Sequence, residues 1–285
     1  MALKYLFPFR AQVNEDGNYT PSPFTIMVGT SEKTNYKKQE HKATYTGSKP
    51  ILVACTDEAL LEMENKKNFL TGNHPVEMFV PMLHFRDAGF TFDIATKSGD
   101  SVKLEMWAYP TKDENVKDLH ESVKSMMEAP KKLADIKSLE PYSAIFIPGG
   151  HGVMINLPES PHLGRLLHEA HEKQIPTVTL CHGPSALLST ALVEDKGFAY
   201  DGYESMCFTD WTDSITPYLG YLPGKMPWKC EDALKCKNVK IKNTGEKGDV
   251  EIDRELITGD SPGAAETLGR VAAPILVEWA NKNKA

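Results

Sequence analysis

Pro176-Thr177-Val178-Thr179-Leu180-Cys181-His182-Gly183-Pro184-Ser185-Ala186-Leu187-Leu188 decides how this chain is read. A β-branched run ends at Cys181, and His182-Gly183-Pro184 leads at once into a segment of helical character. That is the cysteine form of a nucleophile elbow, a strand turning sharply into a helix. The turn drives the side chain out at the carboxyl end of the sheet, where open α/β sheets build their sites. The helix that starts there offers unpaired N–H groups and the positive end of its dipole, so a thiolate is favoured over a thiol.

Outward from the elbow, strands and helices alternate. Ile51-Leu52-Val53-Ala54-Cys55, Phe90 to Thr96 and Ala144-Ile145-Phe146-Ile147 read as strands. Val76 to Ala88 carries Met78, Phe79, Met82, Leu83 and Phe85 at helical spacing behind Pro75, and Pro161 to Lys173 repeats the pattern. Tyr203 to Phe208, Val239-Lys240-Ile241 and Glu255 to Thr258 are later strands, and Gly263 to Asn281 is a closing helix. This alternation predicts an α/β fold, a mostly parallel sheet with helices on both faces. Residues 1–48 are polar and irregular and read as an arm or accessory layer before an α/β domain over 49–285. Residues 105–135 interrupt the alternation and read as an accessory insertion, and residues 209–229 as a loop.

The length of 285 residues fits one large domain with decorations, and 41% hydrophobic and 25% charged residues are ordinary globular values. A formal charge of −7 argues against nucleic acid or an acidic membrane as the main partner. No stretch reaches the roughly 18 apolar residues of a membrane span, and Met1 to Arg10, broken by Pro8, is no secretory signal. A cytoplasmic location follows as the default. Five cysteines, with no Cys-x-x-Cys pair, fit reduced thiols.

A cysteine nucleophile needs an acid/base partner and donors for a developing oxyanion. His182 adjoins the sulfur, and either Asp210 or Asp213 is placed to hold its tautomer. Gly149-Gly150 ends a strand, and its bare backbone admits a substrate oxygen; the plainer reading is a tight turn. Glu77, just inside a helix, reads either as a first-turn acid favoured by the dipole or as a group reaching the same mouth. Cys55, Cys207, Cys230 and Cys236 lack the elbow and read as packing residues. His74 and His151 sit in turns and read as structural hydrogen-bonders. Trp107, Trp211, Trp228, Tyr109 and Tyr221 read as packing or as lining of the mouth, and Met126-Met127 and Met226 as an adaptable apolar patch.

Four blocks in order then resemble the ThiJ/PfpI superfamily, which has a class I glutamine amidotransferase-like fold. They are Thr71-Gly72-Asn73-His74-Pro75-Val76-Glu77, Pro148-Gly149-Gly150-His151-Gly152, Leu180-Cys181-His182-Gly183-Pro184 and Thr258-Gly259-Asp260-Ser261-Pro262. The resemblance is closest to the large stress-chaperone and glyoxalase III branch. It implies a flavodoxin-like three-layer sandwich with a small accessory domain, usually dimeric. It also implies Cys181 as nucleophile, His182 and Asp213 as its triad partners, Glu77 as the acid on the sulfur, and Gly149, Gly150 and the His182 backbone as the oxyanion pocket. The implied activities are glutathione-independent conversion of methylglyoxal to D-lactate, deglycation of early methylglyoxal adducts, and holdase chaperoning of unfolded chains.

Bacterial members of that branch carry a His-Glu-His zinc site. Gap-free matching puts Arg86, Thr91 and Val123 there, none a plausible ligand, so no metal and no cofactor are expected. His84 and His120 lie nearby, but two imidazoles without a third ligand make a poor site. The competing expectations are a holdase indifferent to Cys181, and a cysteine peptidase or amidase using the same triad.

Overall fold

The computed structural model describes residues 9–283; most of the Met1–Arg10 stretch read for a leader lies outside the described residues. A seven-stranded sheet runs in the order Val250–Asp253, Leu256–Gly259, Thr177–Leu180, Ala144–Ile147, Ile51–Ala54, Phe92–Thr96, Lys131–Lys132. Every pairing is parallel except that of Val250–Asp253 with Leu256–Gly259. Four central strands are buried along their whole length, as a parallel sheet covered on both faces requires.

The two faces follow from the two-residue period of a strand. Ile51 and Val53 join Met78, Phe79 and Leu83 from the Pro75–Asp87 helix and Leu268, Ala272 and Leu276 from the Ala265–Lys282 helix. Leu52 and Ala54 face the other way, toward Leu163, Leu166 and Leu167 of the Pro161–Lys173 helix. Each fully buried Leu or Ile contributes roughly 1.5–3 kcal/mol. Helix limits follow local chemistry. Ser160 caps the Pro161–Lys173 helix by accepting from the Leu163 amide, Pro161 sits at its first position, and Gln174 closes it in the left-handed region. Where the two helices of the first face cross, Gly269 lies against Pro81. A methyl there would sit 2.9 Å from the Pro81 Cα and 2.6 Å from the His84 ring.

The structure differs from expectation in three places. First, the accessory layer is a four-stranded sheet of Gln12–Val13, Tyr19–Thr20, Asn68–Leu70 and Leu60–Glu62. Part of it therefore comes from the 60–70 hairpin, which the sequence pattern left unassigned. Second, the 105–135 stretch adds a helix and an edge strand to the main layers. The Glu114–Glu128 helix, capped by Asp113, buries Val116, Leu119, Val123 and Met127 in the main core, and Lys131–Lys132 forms the exposed edge strand. Lysines on an edge discourage further strand pairing. Third, Glu204–Ser205 and Lys240–Ile241 pair with each other, outside the large sheet, and the stretch read as a loop over 209–229 contains the Asp210–Ile215 helix. Met127 and Met226 are buried and form no surface patch. No described helix is long and apolar enough to cross a membrane.

From Ile51–Ala54 the chain adds strands on one side and then returns to Ala144–Ile147 on the other. That reversal opens a crevice at the carboxyl ends of these strands.

Candidate active site

Cys181 sits where Thr177–Leu180 ends, with φ +59°, left-handed for a residue with a side chain. Its amide donates to the Gly259 carbonyl at 2.9 Å, and its carbonyl accepts from the Phe208 amide at 2.8 Å. Gly183 is needed beside it, because a Cβ there would lie 2.3 Å from Thr179 Oγ1. The expected elbow is thus present, followed by a 3₁₀ helix over Gly183–Leu192. Only 4% of Cys181 is exposed, and it faces a cavity of about 350 Å³ that Glu77, Gly150, His182, Trp107 and Tyr221 also line.

His182 Nδ1 lies 3.4 Å from the sulfur, and its Nε2 donates to Asp213 Oδ2 at 2.8 Å. This fixes the tautomer: Nε2 carries the proton, and the Nδ1 lone pair faces the thiol. Asp210 turns away. Its carboxylate accepts from the Glu231 and Asp232 amides and caps the Cys230–Cys236 helix. Within the Asp210–Ile215 helix, then, Asp213 faces His182 and Asp210 faces the Cys230–Cys236 helix.

Glu77 is wholly buried in the first turn of its helix. Its carboxyl lies against Gly149, where a Cβ would approach Glu77 Oε2 to 2.0 Å and the Cys181 Cβ to 2.8 Å. Burial pushes the Glu77 pKa well above the carboxylate range, helped by Glu105, while the Cys181 thiol, His151 and the Gly149 backbone pull the other way. Neither the thiol nor the Gly149 contact has good hydrogen-bond geometry, and both carboxyl oxygens lack a partner. Cys181 is pushed up as well, by burial and then by Glu77, Asp213 and Glu105. Burial among carboxyl groups thus works against the turn's dipole at this sulfur. The Gly150 and His182 amides donate to no acceptor among the described residues and are open to a substrate oxygen.

Two residues were missed. His151, read as a structural turn residue, stacks on His182 with ring centroids 4.1 Å apart. Its Nε2 donates to Asp213 Oδ1 at 3.1 Å. Burial lowers its pKa, but Asp213 and Glu105 outweigh that and raise it to about 10. Glu105, never singled out, accepts from Thr71 Oγ1 at 2.7 Å and from the His151 amide at 3.3 Å. Burial and the His151 cation lower His182, while the two imidazoles overcome burial and hold Asp213 well below the carboxylate range. His74 lines the cavity too, and its amide donates to the Gly149 carbonyl at 2.9 Å. Of the aromatics, Trp107 and Tyr221 line the cavity, whereas Trp228 packs on the core and Tyr109 hydrogen-bonds His120.

The positions matched to the zinc site do not fit a metal. Val123 is sealed in the core, and Arg86 and Thr91 point to solvent. His84 Nε2 is held by Glu266 at 2.7 Å. His151, His182 and Asp213 bring three donor atoms within 4.8 Å, but both imidazoles already donate to Asp213.

Fold and site together define a flavodoxin-like α/β protein with a cysteine elbow and a buried carboxyl beside it. The DJ-1/PfpI family profile matches residues 69–210. The chain is 43% identical over 271 residues to the protein/nucleic acid deglycase HchA of Pseudomonas aeruginosa, covering 93% of each. It is 41% identical over 265 residues to HchA of Staphylococcus aureus, covering 90% of each. The chain belongs to the DJ-1/PfpI family. Glyoxalase III of Candida albicans shares the fold at 20% identity, with a TM-score of 0.64 over 79% of this chain and 96% of that one. The Francisella tularensis protein REP24 does so at 21% identity, with a TM-score of 0.69 over 80% and 99%.

Proposed function

We propose that this chain is a glutathione-independent glyoxalase, converting methylglyoxal and related 2-oxoaldehydes to 2-hydroxy acids such as D-lactate, and that it also acts on early protein-borne adducts of these aldehydes. The observation that carries the reading is Glu77, an unpartnered buried carboxyl of raised pKa beside the Cys181 thiol. A group that both gives and takes a proton is suited to that state. Peptide hydrolysis needs no such shuttle, which disfavours the peptidase reading.

The Cys181 sulfur adds to the aldehyde carbon as its proton passes to His182 Nδ1. The new carbinol oxygen, held by the Gly150 and His182 amides, takes the Glu77 proton. The Glu77 carboxylate then removes the hydrogen of the former aldehyde carbon and returns it to the neighbouring carbon through an enediol. The carbinol proton moves to the second oxygen, leaving a 2-hydroxyacyl thioester. The Glu77 carboxylate then takes a proton from the water that attacks the thioester, and the His182 imidazolium returns its proton to the departing sulfur, so the acid is released and Glu77, His182 and the thiol are restored. One carbon is oxidised and its neighbour reduced, so no external redox partner is needed. Among the described residues the cavity lining carries no Lys or Arg, which favours free aldehydes and protein adducts over nucleic acids as substrates.

The test is D-lactate formation from methylglyoxal without glutathione, by chelator-treated protein. Turnover should persist after chelation and fall at least about a hundredfold in Glu77→Gln and in Cys181→Ala. Substantial turnover in Glu77→Gln would remove Glu77 from this role.

A second reading rests on Phe24, Met27, Val28 and Trp211. They are exposed in segments that reach the cavity through Gly29 and Thr212, an apolar surface for unfolded or glycated chains. Suppression of client aggregation that persists in Cys181→Ala would support it.

A further inference from the structure

Asp213 serves two imidazoles, which a simple Cys-His-Asp set does not require. One carboxylate oxygen holds His182 and the other holds His151, and the two rings lie face to face at 4.1 Å with 38° between their planes. On the far side of His151 lies Glu105, whose Oε1 is 3.9 Å from Nδ1 and within reach of the His151 amide. His151 Nδ1 and Glu105 Oε2 are both buried without a conventional partner. Phe69, from the accessory sheet, packs edge-on against the His151 ring at 5.8 Å. The imidazole is thus bracketed by two carboxylates and confined on its faces.

We propose that His151 is a positioning residue that aligns Asp213 and sets the proton-accepting form of His182. With both nitrogens protonated, His151 is a buried cation stacked on His182. A second positive charge on His182 is then opposed at close range, while Asp213 stays anionic and accepts from both rings. His182 therefore rests as the neutral Nε2–H tautomer with Nδ1 open to the thiol. The proposal rests on the reading of Cys181 as nucleophile, but its test needs no turnover and so fails or holds separately.

The titratable groups around Cys181 and His182 are Glu77, His74, Glu105, His151, Asp213 and Tyr221, with Glu246 on the cavity wall. Removing the His151 charge leaves Asp213 to act on His182 alone, so the His182 pKa must rise. The experiment is nitrogen-15 histidine NMR across pH 6–9 on the full chain, with signals assigned through His151→Asn and His182→Asn. In the unaltered protein His151 should stay doubly protonated and His182 neutral with its proton on Nε2. In His151→Asn the His182 midpoint should move up by about one unit, a tenfold change in proton affinity. In Glu105→Gln the His151 midpoint should fall. Loss of packing in His151→Asn would also hydrate His182 and raise its midpoint, so the near-isosteric Glu105→Gln, which leaves the packing in place, is the arm that separates charge from packing. A neutral His151 at pH 7, or a His182 midpoint that stays or falls in folded His151→Asn, overturns the proposal. Should His151→Asn not fold, the unaltered spectrum and Glu105→Gln decide it.

Discussion

Asp210 and Asp213 share one helix of six residues, and only their side-chain directions separate them. Asp213→Asn should leave the fold intact and cut turnover by about two to four orders of magnitude, since an amide no longer favours the Nε2–H tautomer of His182. Asp210→Asn should keep most turnover but lower stability by about 1 kcal/mol, because it weakens a helix cap. Comparing kcat with thermal unfolding for the two variants checks this, and similar profiles would refute the division of roles. Cys181, His182 and Gly150 were legible because local sequence fixes their geometry. Glu105 and His151 were not, because their meaning depends on chain segments far apart. Asn73 pairs with the 103–105 strip, its amide donating to the Lys103 carbonyl and the Glu105 amide to the Asn73 carbonyl. That pairing draws Glu105 to the end of another strand, and no spacing rule announces it.

The elbow holds a non-glycine residue in the left-handed region, which costs roughly 1–2 kcal/mol for an L side chain. Cys181→Ala keeps that strain, and Cys181→Gly relieves it. Both variants should be inactive, but the glycine variant should unfold at the higher temperature. An alanine variant at least as stable would show that the turn is unstrained. Elements with strong patterns were readable. Ile51–Ala54 and Ala144–Ile147 are unbroken apolar runs, and Pro75–Asp87 starts at a proline. Gln12–Val13, Tyr19–Thr20 and Leu60–Glu62 are only two or three residues long and partly exposed, too short for a period to register. The half-exposed Val250–Asp253 strand was missed for the same want of an apolar signal. The place of the Glu114–Glu128 helix in the core was hidden by the lysines and glutamates on its outer face.

On the scale of the whole molecule, the site draws Gly149-Gly150 and Cys181 from the ends of two neighbouring parallel strands and Glu77 from the first turn of the Pro75–Asp87 helix. The order of the strands was inferable from their alternation with helices, but how tightly the helices meet was not. Gly269 and Pro81 touch nearly backbone to backbone, one turn beyond Glu77 on the same helix. Gly269→Ala should lower stability by about 1–3 kcal/mol through overpacking and reduce kcat more than it raises KM. Unchanged kinetics would mean that the crossing can yield without moving the acid. On the proposed reading of Glu77, the closing helix is a gauge block: one methyl's thickness at a residue far from any substrate would set the height at which the proton carrier stands over the sulfur, and turnover would be tuned from behind without altering the chamber itself.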